Sequence, residues 1–151
     1  MKTYRSFSAL ARGLERAAFR MEDTLAVTME ASAELVKGNA KAKIGHYQEA
    51  AGPFSKWAEL ADATKADRVS RGYPENEPLL RTGELRDSIK SEASAAGFVV
   101  GSDSDIALYQ ELGTSTIPPR PFLGPALFES APAVVKALGS AIELTIAGGG
   151  Q

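Results

Sequence analysis

The segment Tyr109-Gln-Glu-Leu-Gly-Thr-Ser-Thr-Ile-Pro-Pro-Arg-Pro-Phe-Leu-Gly-Pro-Ala-Leu127 contains the changes of backbone conformation around which the rest of the chain is arranged. Its first residues predict the end of a short helix, which Gly113 stops with a left-handed turn. Over residues 114–121, prolines and β-branched residues favour extended backbone. Gly124 and Pro125 then suit the start of a new helix. The sequence therefore predicts a stiff, projecting arm between two helices.

Arg120 carries the one charge of this arm, between Pro119 and Pro121. A guanidinium is a planar fork of five donors, so its natural partner is a carboxylate or a set of backbone carbonyls. That partner can lie on an adjacent subunit, or within the same fold, where Glu111 is a candidate. Both interpretations remain open at this point.

Apolar residues recur at intervals of three and four near the N-terminus, which predicts one long helix from Phe7 to about Lys37. Ser6 or Ser8 can cap its start and Gly38 can end it. At 1.5 Å per residue the helix is roughly 45 Å long, which is long for a small domain. It either spans its own domain or lends part of its apolar stripe to a neighbouring subunit. The repeating positions are Phe7, Leu10, Leu14, Ala18, Met21, Leu25, Met29, Ala33 and Val36.

Arg12, Arg16 and Arg20 follow one another at intervals of four, so they share one face of this helix. Such a stripe can face DNA or an acidic partner. The alternative is a solvated face that pairs locally with Glu15 and Asp23, which is the commoner arrangement for charges on helices.

Glycine and proline interrupt residues 38–77, so we expect a peripheral layer of loops there. A short helix is predicted from about Ser55 to Lys65, with Trp57 anchoring it to the body. His46, the only histidine, has no acidic or nucleophilic partner at motif spacing, and we interpret it as a surface or packing residue.

Residues 78–147 contain patterns typical of helices and patterns typical of strands. They predict a helical turn capped by Thr82, and a β-hairpin with strands near 89–93 and 98–100 that Gly101 closes. They also predict a second long helix up to Ala147, in which Pro132 forms a kink or a restart. The predicted fold is a single α+β domain over residues 1–147, with the N-terminal and C-terminal helices packed on a small antiparallel sheet. Residues 148–151 are predicted to form a flexible tail.

The composition is that of an ordinary globular protein, with 44% hydrophobic and 24% charged residues among 151. A formal charge of −2 argues against a protein that grips free nucleic acid. The absence of cysteine removes disulfides and thiol chemistry, and suits a reducing cytoplasm. No catalytic, phosphate-binding or metal-binding motif occurs, and no apolar run approaches a membrane span. We therefore expect no enzyme activity, cofactor, metal, small-molecule substrate or membrane partner, although a hydrolase site built from scattered residues remains an alternative.

Two blocks of the sequence resemble a family of tailed-bacteriophage proteins that covers neck, tail-completion and virion-morphogenesis proteins. The first is Tyr109-Gln-Glu-Leu-Gly-Thr followed by Ile117-Pro-Pro-Arg-Pro-Phe-Leu, and the second is Pro78-Leu-Leu-Arg-Thr-Gly-Glu-Leu-Arg-Asp-Ser-Ile89. The blocks occur in the family's order, and the likeness covers about the C-terminal half of the chain. Residues 40–77 form a longer insert than some members carry.

The resemblance implies a structural virion protein that forms a homo-oligomeric ring, a hexamer by analogy, at the neck or tail end. Its partners would be further copies of itself and the adjacent neck, connector or tail-tube proteins, with DNA met only as it passes through the channel. The protein would occupy the host cytoplasm during assembly and then the virion. A DNA-binding accessory module that uses the arginine stripe is the alternative. The subunit or partner interface would include residues of the arm and its flanks, namely Tyr109, Glu111, Gly113, Pro118, Pro119, Arg120, Pro121 and Phe122.

Overall fold

A computed structural model describes residues 3–148 of the chain and confirms the α+β class, with long N- and C-terminal helices and a two-stranded antiparallel sheet. Seven elements follow one another along the chain. They are α1 (Phe7–Lys43), α2 (Asp62–Ser70), α3 (Glu84–Asp87), β1 (Ile89–Ser94), β2 (Gly97–Ser102), α4 (Asp105–Leu112) and α5 (Leu123–Gly148).

Helix α1 is longer than the sequence predicts, because it passes through Gly38 and ends at Lys43. Ser6 caps its start, where the Ser6 hydroxyl accepts the N–H of Ala9 at 3.2 Å. Beyond Gly38, the apolar side chain of Ala40 is completely buried. Burial of such a stripe outweighs the cost of about 1 kcal/mol that a glycine imposes inside a helix. The predicted end at Gly38 is therefore wrong, and the left-handed residue that follows the helix is Gly45.

The described chain divides into two compact units, and unit 1 consists of residues 3–33, 92–99 and 132–148. Its elements are the first part of α1, the tip of the β-hairpin and the last part of α5. The side chains buried in unit 1 are small or medium-sized, as with Ala33, Val134 and Ala141. Its larger apolar side chains are mostly exposed, and Phe7 is 91% and Phe19 71% exposed. Unit 1 therefore has a thin core.

Unit 2 consists of residues 34–91 and 100–131, and it holds most of the buried apolar residues. Polar contacts join the end of α1 to the start of α5 within this unit. The Lys43 ammonium contacts the Glu129 carboxylate at 2.6 Å, and the Asn39 amide donates to the Ser130 hydroxyl at 2.6 Å. The apolar core includes Val36, Ile44, Trp57, Leu60, Leu79, Leu85, Ile89, Ala107, Phe122 and Ala126.

Residues 55–61 form no helix, and α2 begins only at Asp62, so the start of the helix predicted from Ser55 to Lys65 is wrong. Trp57 and Leu60 are both buried, as predicted for Trp57, but they reach the core from a segment without regular secondary structure. The physical reason lies in the backbone hydrogen bonds. The carbonyls of Ala58 and Glu59 accept hydrogen bonds from the Arg120 side chain, and the N–H of Trp57 donates to the carbonyl of Gln48 at 2.9 Å. Tertiary partners thus replace a helical ladder.

Helix α5 begins at Leu123 and runs without interruption through Pro132 to Gly148, so neither a restart at Pro132 nor a tail beginning at residue 148 is observed. The rest of the predicted tail, residues 149–151, lies outside the described residues. By length and composition α5 could cross a membrane, with 17% of its most apolar window buried. Glu129, Lys136 and Glu143 interrupt that sequence. A helix that packs in a subunit interface has the same composition.

Candidate functional site

The arm, defined here as residues 113–121, leaves α4 at Gly113 and returns to the body at its proline-rich end. Gly113 has φ 73° and ψ 173°, a conformation that is essentially restricted to glycine. The tip then closes on itself, because the N–H of Thr114 donates to the carbonyl of Ile117 at 2.9 Å. At the base, the N–H of Arg120 donates to the carbonyl of Gln110 at 2.7 Å. Both ends of the arm are therefore fixed to α4 or to the arm itself.

Glu111 connects α4 to the start of α5. Its carboxylate accepts three backbone N–H groups: those of Phe122 at 2.8 Å, Leu123 at 3.0 Å and Gly124 at 2.7 Å. The first N–H groups of a helix lack intrahelical partners and carry its positive dipole end, so a carboxylate is well placed there. Glu111 therefore caps α5, and the predicted pairing of Glu111 with Arg120 is wrong.

Arg120 lies inside the fold, with only 5% of its surface exposed. Its Nε donates to the carbonyl of Ala58 and its Nη2 to the carbonyl of Glu59, both at 2.9 Å. Of the two predicted partners, the set of backbone carbonyls in the same chain is the one that forms. Burial lowers the pKa of the Arg120 guanidinium, and the nearby Tyr47 opposes that shift.

Trp57 adds a second contact at the base of the arm. The indole Nε1 donates to the carbonyl of Pro121 at 2.9 Å, and the ring is 5% exposed. Pro121 has no backbone N–H, so its carbonyl is the only backbone group with which it can form a hydrogen bond. The base of the arm is thus held to residues 57–59 in both directions: Arg120 donates to the backbone of residues 58–59, and Trp57 donates to the carbonyl of Pro121.

The predicted interface residues separate into three groups by their exposure. Phe122 is completely buried and Arg120 nearly so, which corrects their assignment to a surface for partners. Glu111, Gly113 and Pro121 are half-buried and have the structural contacts described above. The residues that remain at the surface are Tyr109, Pro118 and Pro119.

The exposed side of α4 is apolar. Ala107 is the buried residue of this helix, and the opposite side carries four exposed apolar side chains. At 100° per residue these four fall within one arc of the helix. We call them the α4 face, which consists of Ile106, Leu108, Tyr109 and Leu112, between 47% and 70% exposed.

A cleft of about 690 Å³ lies in unit 2, between the arm and the residues that surround α2. Four arginines line it, as do Gln110 and Leu79. Leu79 has a positive φ of 62°, which is rare for a residue with a side chain, and such strain is commoner at functional sites. The arginines are Arg68, Arg71, Arg81 and Arg120.

Arg68 is the cleft residue that the sequence analysis missed. It is 6% exposed, and its Nη1 donates to the carbonyls of Pro74, Glu77 and Leu80 at 3.3, 2.9 and 2.7 Å. Burial lowers the pKa of its guanidinium, and the charge of Arg81 lowers it further. No spacing rule marks such a residue, because all three acceptors are backbone groups of a loop.

The arginine stripe of α1 is solvent-exposed, since Arg12, Arg16 and Arg20 are each exposed. No ion pair joins them to Glu15 or Asp23 among the described residues. The predicted local pairing is not observed, and the stripe remains three adjacent positive charges in water.

The described residues contain no group of three or more histidine, cysteine or acidic side chains that could hold a metal ion. His46 is exposed, as expected for a surface residue. The carboxyl groups with a shifted pKa are Glu34 and Asp103, both lowered mainly by hydrogen bonds from lysines, and neither lines the cleft.

No family model matches the sequence, and no curated protein or solved structure matches it either.

Proposed function

We propose that this protein is a structural component of the neck or tail end of a tailed bacteriophage, where copies of it form a ring that completes the tail or joins head to tail. The proposal combines the resemblance of residues 78–89 and 109–123 with one structural observation. The α4 face presents four exposed apolar side chains directly before the arm. Clustered apolar side chains of this kind mark interaction surfaces.

Unit 1 supports the same proposal independently. On α1, Phe7 and Leu14 share a face and are 91% and 61% exposed. On α5, Val135, Ile142 and Ile146 share a face and are 68%, 41% and 70% exposed. A helix with an unburied apolar stripe gains stability when a partner covers it. In a closed ring each subunit presents two different surfaces to its two neighbours, and the α4 face and unit 1 are candidates for such surfaces.

The assembly role is tested with variants of the α4 face in the infecting phage. We expect Leu108→Glu and Leu112→Glu to leave the monomer folded, since both side chains are exposed, and to yield filled heads and finished tails that do not join. Val69→Glu is the control, because Val69 is a 56% exposed apolar residue of α2 outside the α4 face. Normal yields of infectious particles from both α4 variants would reject the role of this face.

The virion location needs its own measurement. Purified particles should contain several copies of the chain, and an electron-microscopy map should place them at the neck or tail end. A map without density for the chain at either place contradicts the proposal. A monomer in solution does not, because members of such assemblies can await a partner that nucleates the ring.

One observation favours a second function, a DNA-binding accessory module. The arginines of the stripe are exposed and have no acidic partner among the described residues. DNA binding through three phosphate contacts predicts a slope of about −3 for log K against log salt concentration. Replacement of Arg12, Arg16 and Arg20 by glutamine would then abolish most of the salt dependence of DNA binding. A ring protein would instead bind free DNA weakly both with and without these substitutions.

A further inference from the structure

The cleft in unit 2 carries more positive charge than its own residues neutralise. Its lining holds four arginines and two carboxylates, Glu59 and Glu84. Glu59 is paired with Lys65, at 3.3 Å. Arg71 and Arg81 share one further carboxylate, that of Asp67, at 2.8 and 3.0 Å. The remaining two arginines have no acidic partner among the described residues.

Those two arginines, Arg68 and Arg120, are also the most buried ones. Both are about one-twentieth exposed, and both donate only to backbone carbonyls. A buried charge without a counter-ion is costly, and carbonyl dipoles compensate only part of that cost. Each guanidinium also keeps N–H donors that the backbone carbonyls do not use, for example Nη1 of Arg120. An anion in the cleft would supply the missing charge and acceptors.

Gln110 lines the same cleft, and its side-chain oxygen needs a hydrogen-bond donor, which a simple anion does not have. This oxygen, Oε1, has no hydrogen-bond partner and almost no exposed surface, so a donor in the cleft reaches it only when the Gln110 side chain rotates toward the cleft. No other buried side-chain nitrogen or oxygen among the described residues lacks a partner. A buried polar group without a partner costs about 1–3 kcal/mol. A carboxylate or a fully ionised phosphate has no N–H to offer it, whereas a peptide bond does. Apolar side chains of Leu60, Ile106 and Ile117 complete the lining, as expected of a surface that contacts peptide side chains.

We propose that this cleft binds an extended peptide segment of a partner protein, with a carboxylate of the peptide held by Arg68, Arg81 and Arg120 and a peptide N–H donated to Gln110. The carboxylate belongs to an acidic side chain or to the C-terminus of the segment. This inference goes beyond ring formation and does not depend on it, because the cleft and the α4 face are separate groups of residues apart from Ile106.

The experiment uses the full chain and nuclear magnetic resonance of its backbone amides. The probes are acetyl-Leu-Glu-Leu-amide, acetyl-Leu-Gln-Leu with a free C-terminal carboxylate, neutral acetyl-Leu-Gln-Leu-amide, and inorganic phosphate. We expect one of the two carboxylate peptides to shift the amides of Leu60, Arg81 and Ile117, with an affinity about tenfold above that of the neutral peptide. Which peptide binds identifies the source of the carboxylate. Absence of shifts, or equal affinity of the neutral peptide, would overturn the proposal.

Two variants test the named contacts. Arg81→Gln and Gln110→Met should each lower the peptide affinity by about fivefold or more. Gln110→Met should not lower the melting temperature, because it removes an acceptor that has no partner. Arg12→Gln, on an exposed part of unit 1, is the control and should change neither quantity. Unchanged peptide affinity in both cleft variants would contradict the proposal. Inorganic phosphate that competes as strongly as the peptides would also contradict it, because the cleft would then be a site for small anions only.

Discussion

The carboxylate of Glu111 on α4 accepts the backbone N–H of Gly124 at 2.7 Å, so that this side chain caps the start of α5, where the arm has just ended. We expect Glu111→Ala to lower the free energy of unfolding by about 2–3 kcal/mol, because three N–H groups lose their acceptor. Urea unfolding measures the loss. Glu92→Ala, at an exposed carboxylate of β1, should be close to neutral. A loss for Glu111→Ala no greater than that of the control would contradict the capping role.

Gly113 has a backbone conformation that other residues rarely adopt. A Cβ at this position would also lie 2.9 Å from the backbone nitrogen of Pro119. Gly113→Ala should therefore cost about 2–3 kcal/mol. Gly139→Ala is the matched comparison, since nothing lies within 4 Å of a Cβ there and the site is inside α5. We expect it to stabilise the protein by about 0.5–1 kcal/mol. Thermal unfolding of the two variants should show shifts of opposite sign.

Arg120 holds the arm to the segment before α2 through the carbonyls of Ala58 and Glu59. We expect Arg120→Ala to lower the free energy of unfolding by about 3 kcal/mol, since both carbonyls lose a charged donor. Arg120→Lys should recover part of that loss, because it keeps the charge and loses the planar fork. Arg86→Ala, at an exposed residue, is the control. A melting temperature of Arg120→Ala equal to that of the wild type would show that the arm is not anchored in this way.

Glu34 makes the stability sensitive to acid. Hydrogen bonds from Lys37 and then Ser91 lower the pKa of its carboxyl group below the usual 4.5. A carboxyl group with a lower pKa in the folded state stabilises the fold at pH above 4.5, and this contribution is lost as the pH falls through the folded-state pKa. Glu34→Gln should therefore flatten the acid side of the melting temperature plotted against pH. Superimposed acid sides for the two proteins would contradict this coupling.

Residues 46–61 should exchange their amide hydrogens faster than residues 122–142. Few of their N–H groups have backbone partners, and those of His46, Ala51, Phe54 and Trp57 are the bonded ones. Most of the α5 amides are in a helical ladder instead. Exchange protection follows the free energy of local opening. Native-state hydrogen exchange measures this difference. Equal protection in the two segments would contradict the prediction and would show that the contacts of Trp57 and Arg120 stabilise residues 46–61 as much as a helix does.

Local patterns were sufficient for the parts of this fold that depend on neighbouring residues. A cap of α1 at Ser6 or Ser8, the β-hairpin and the end of α4 at Gly113 were all predicted from propensity and periodicity, because their hydrogen bonds are local. Gly113 has the positive φ of a left-handed turn, but its ψ of 173° is extended. The same local rules failed at Gly38 and at residues 55–61. There the decisive interactions are burial of Ala40 and side-chain donors more than 60 residues away, as between Arg120 and Ala58.

The candidate site was predictable in its position but not in its contacts. The prolines around Arg120 identified the arm, yet whether its guanidinium would meet another subunit or the same chain depended on where residues 58–59 lie in space. Glu111 was recognised as a polar partner for the arm and assigned to the wrong donor, because a carboxylate suits a guanidinium and a helix start equally well. Arg68 carried no signal, since loop carbonyls leave no side-chain motif.

The hydrogen bond from Trp57 to Pro121 makes the arm observable by fluorescence. Trp57 is the only tryptophan of the chain, so its emission reports on a single place, the base of the arm. A docked arm keeps the indole shielded from water, and a released arm would shift the emission to longer wavelength. Stopped-flow fluorescence can therefore time the docking of the arm during refolding without any added dye.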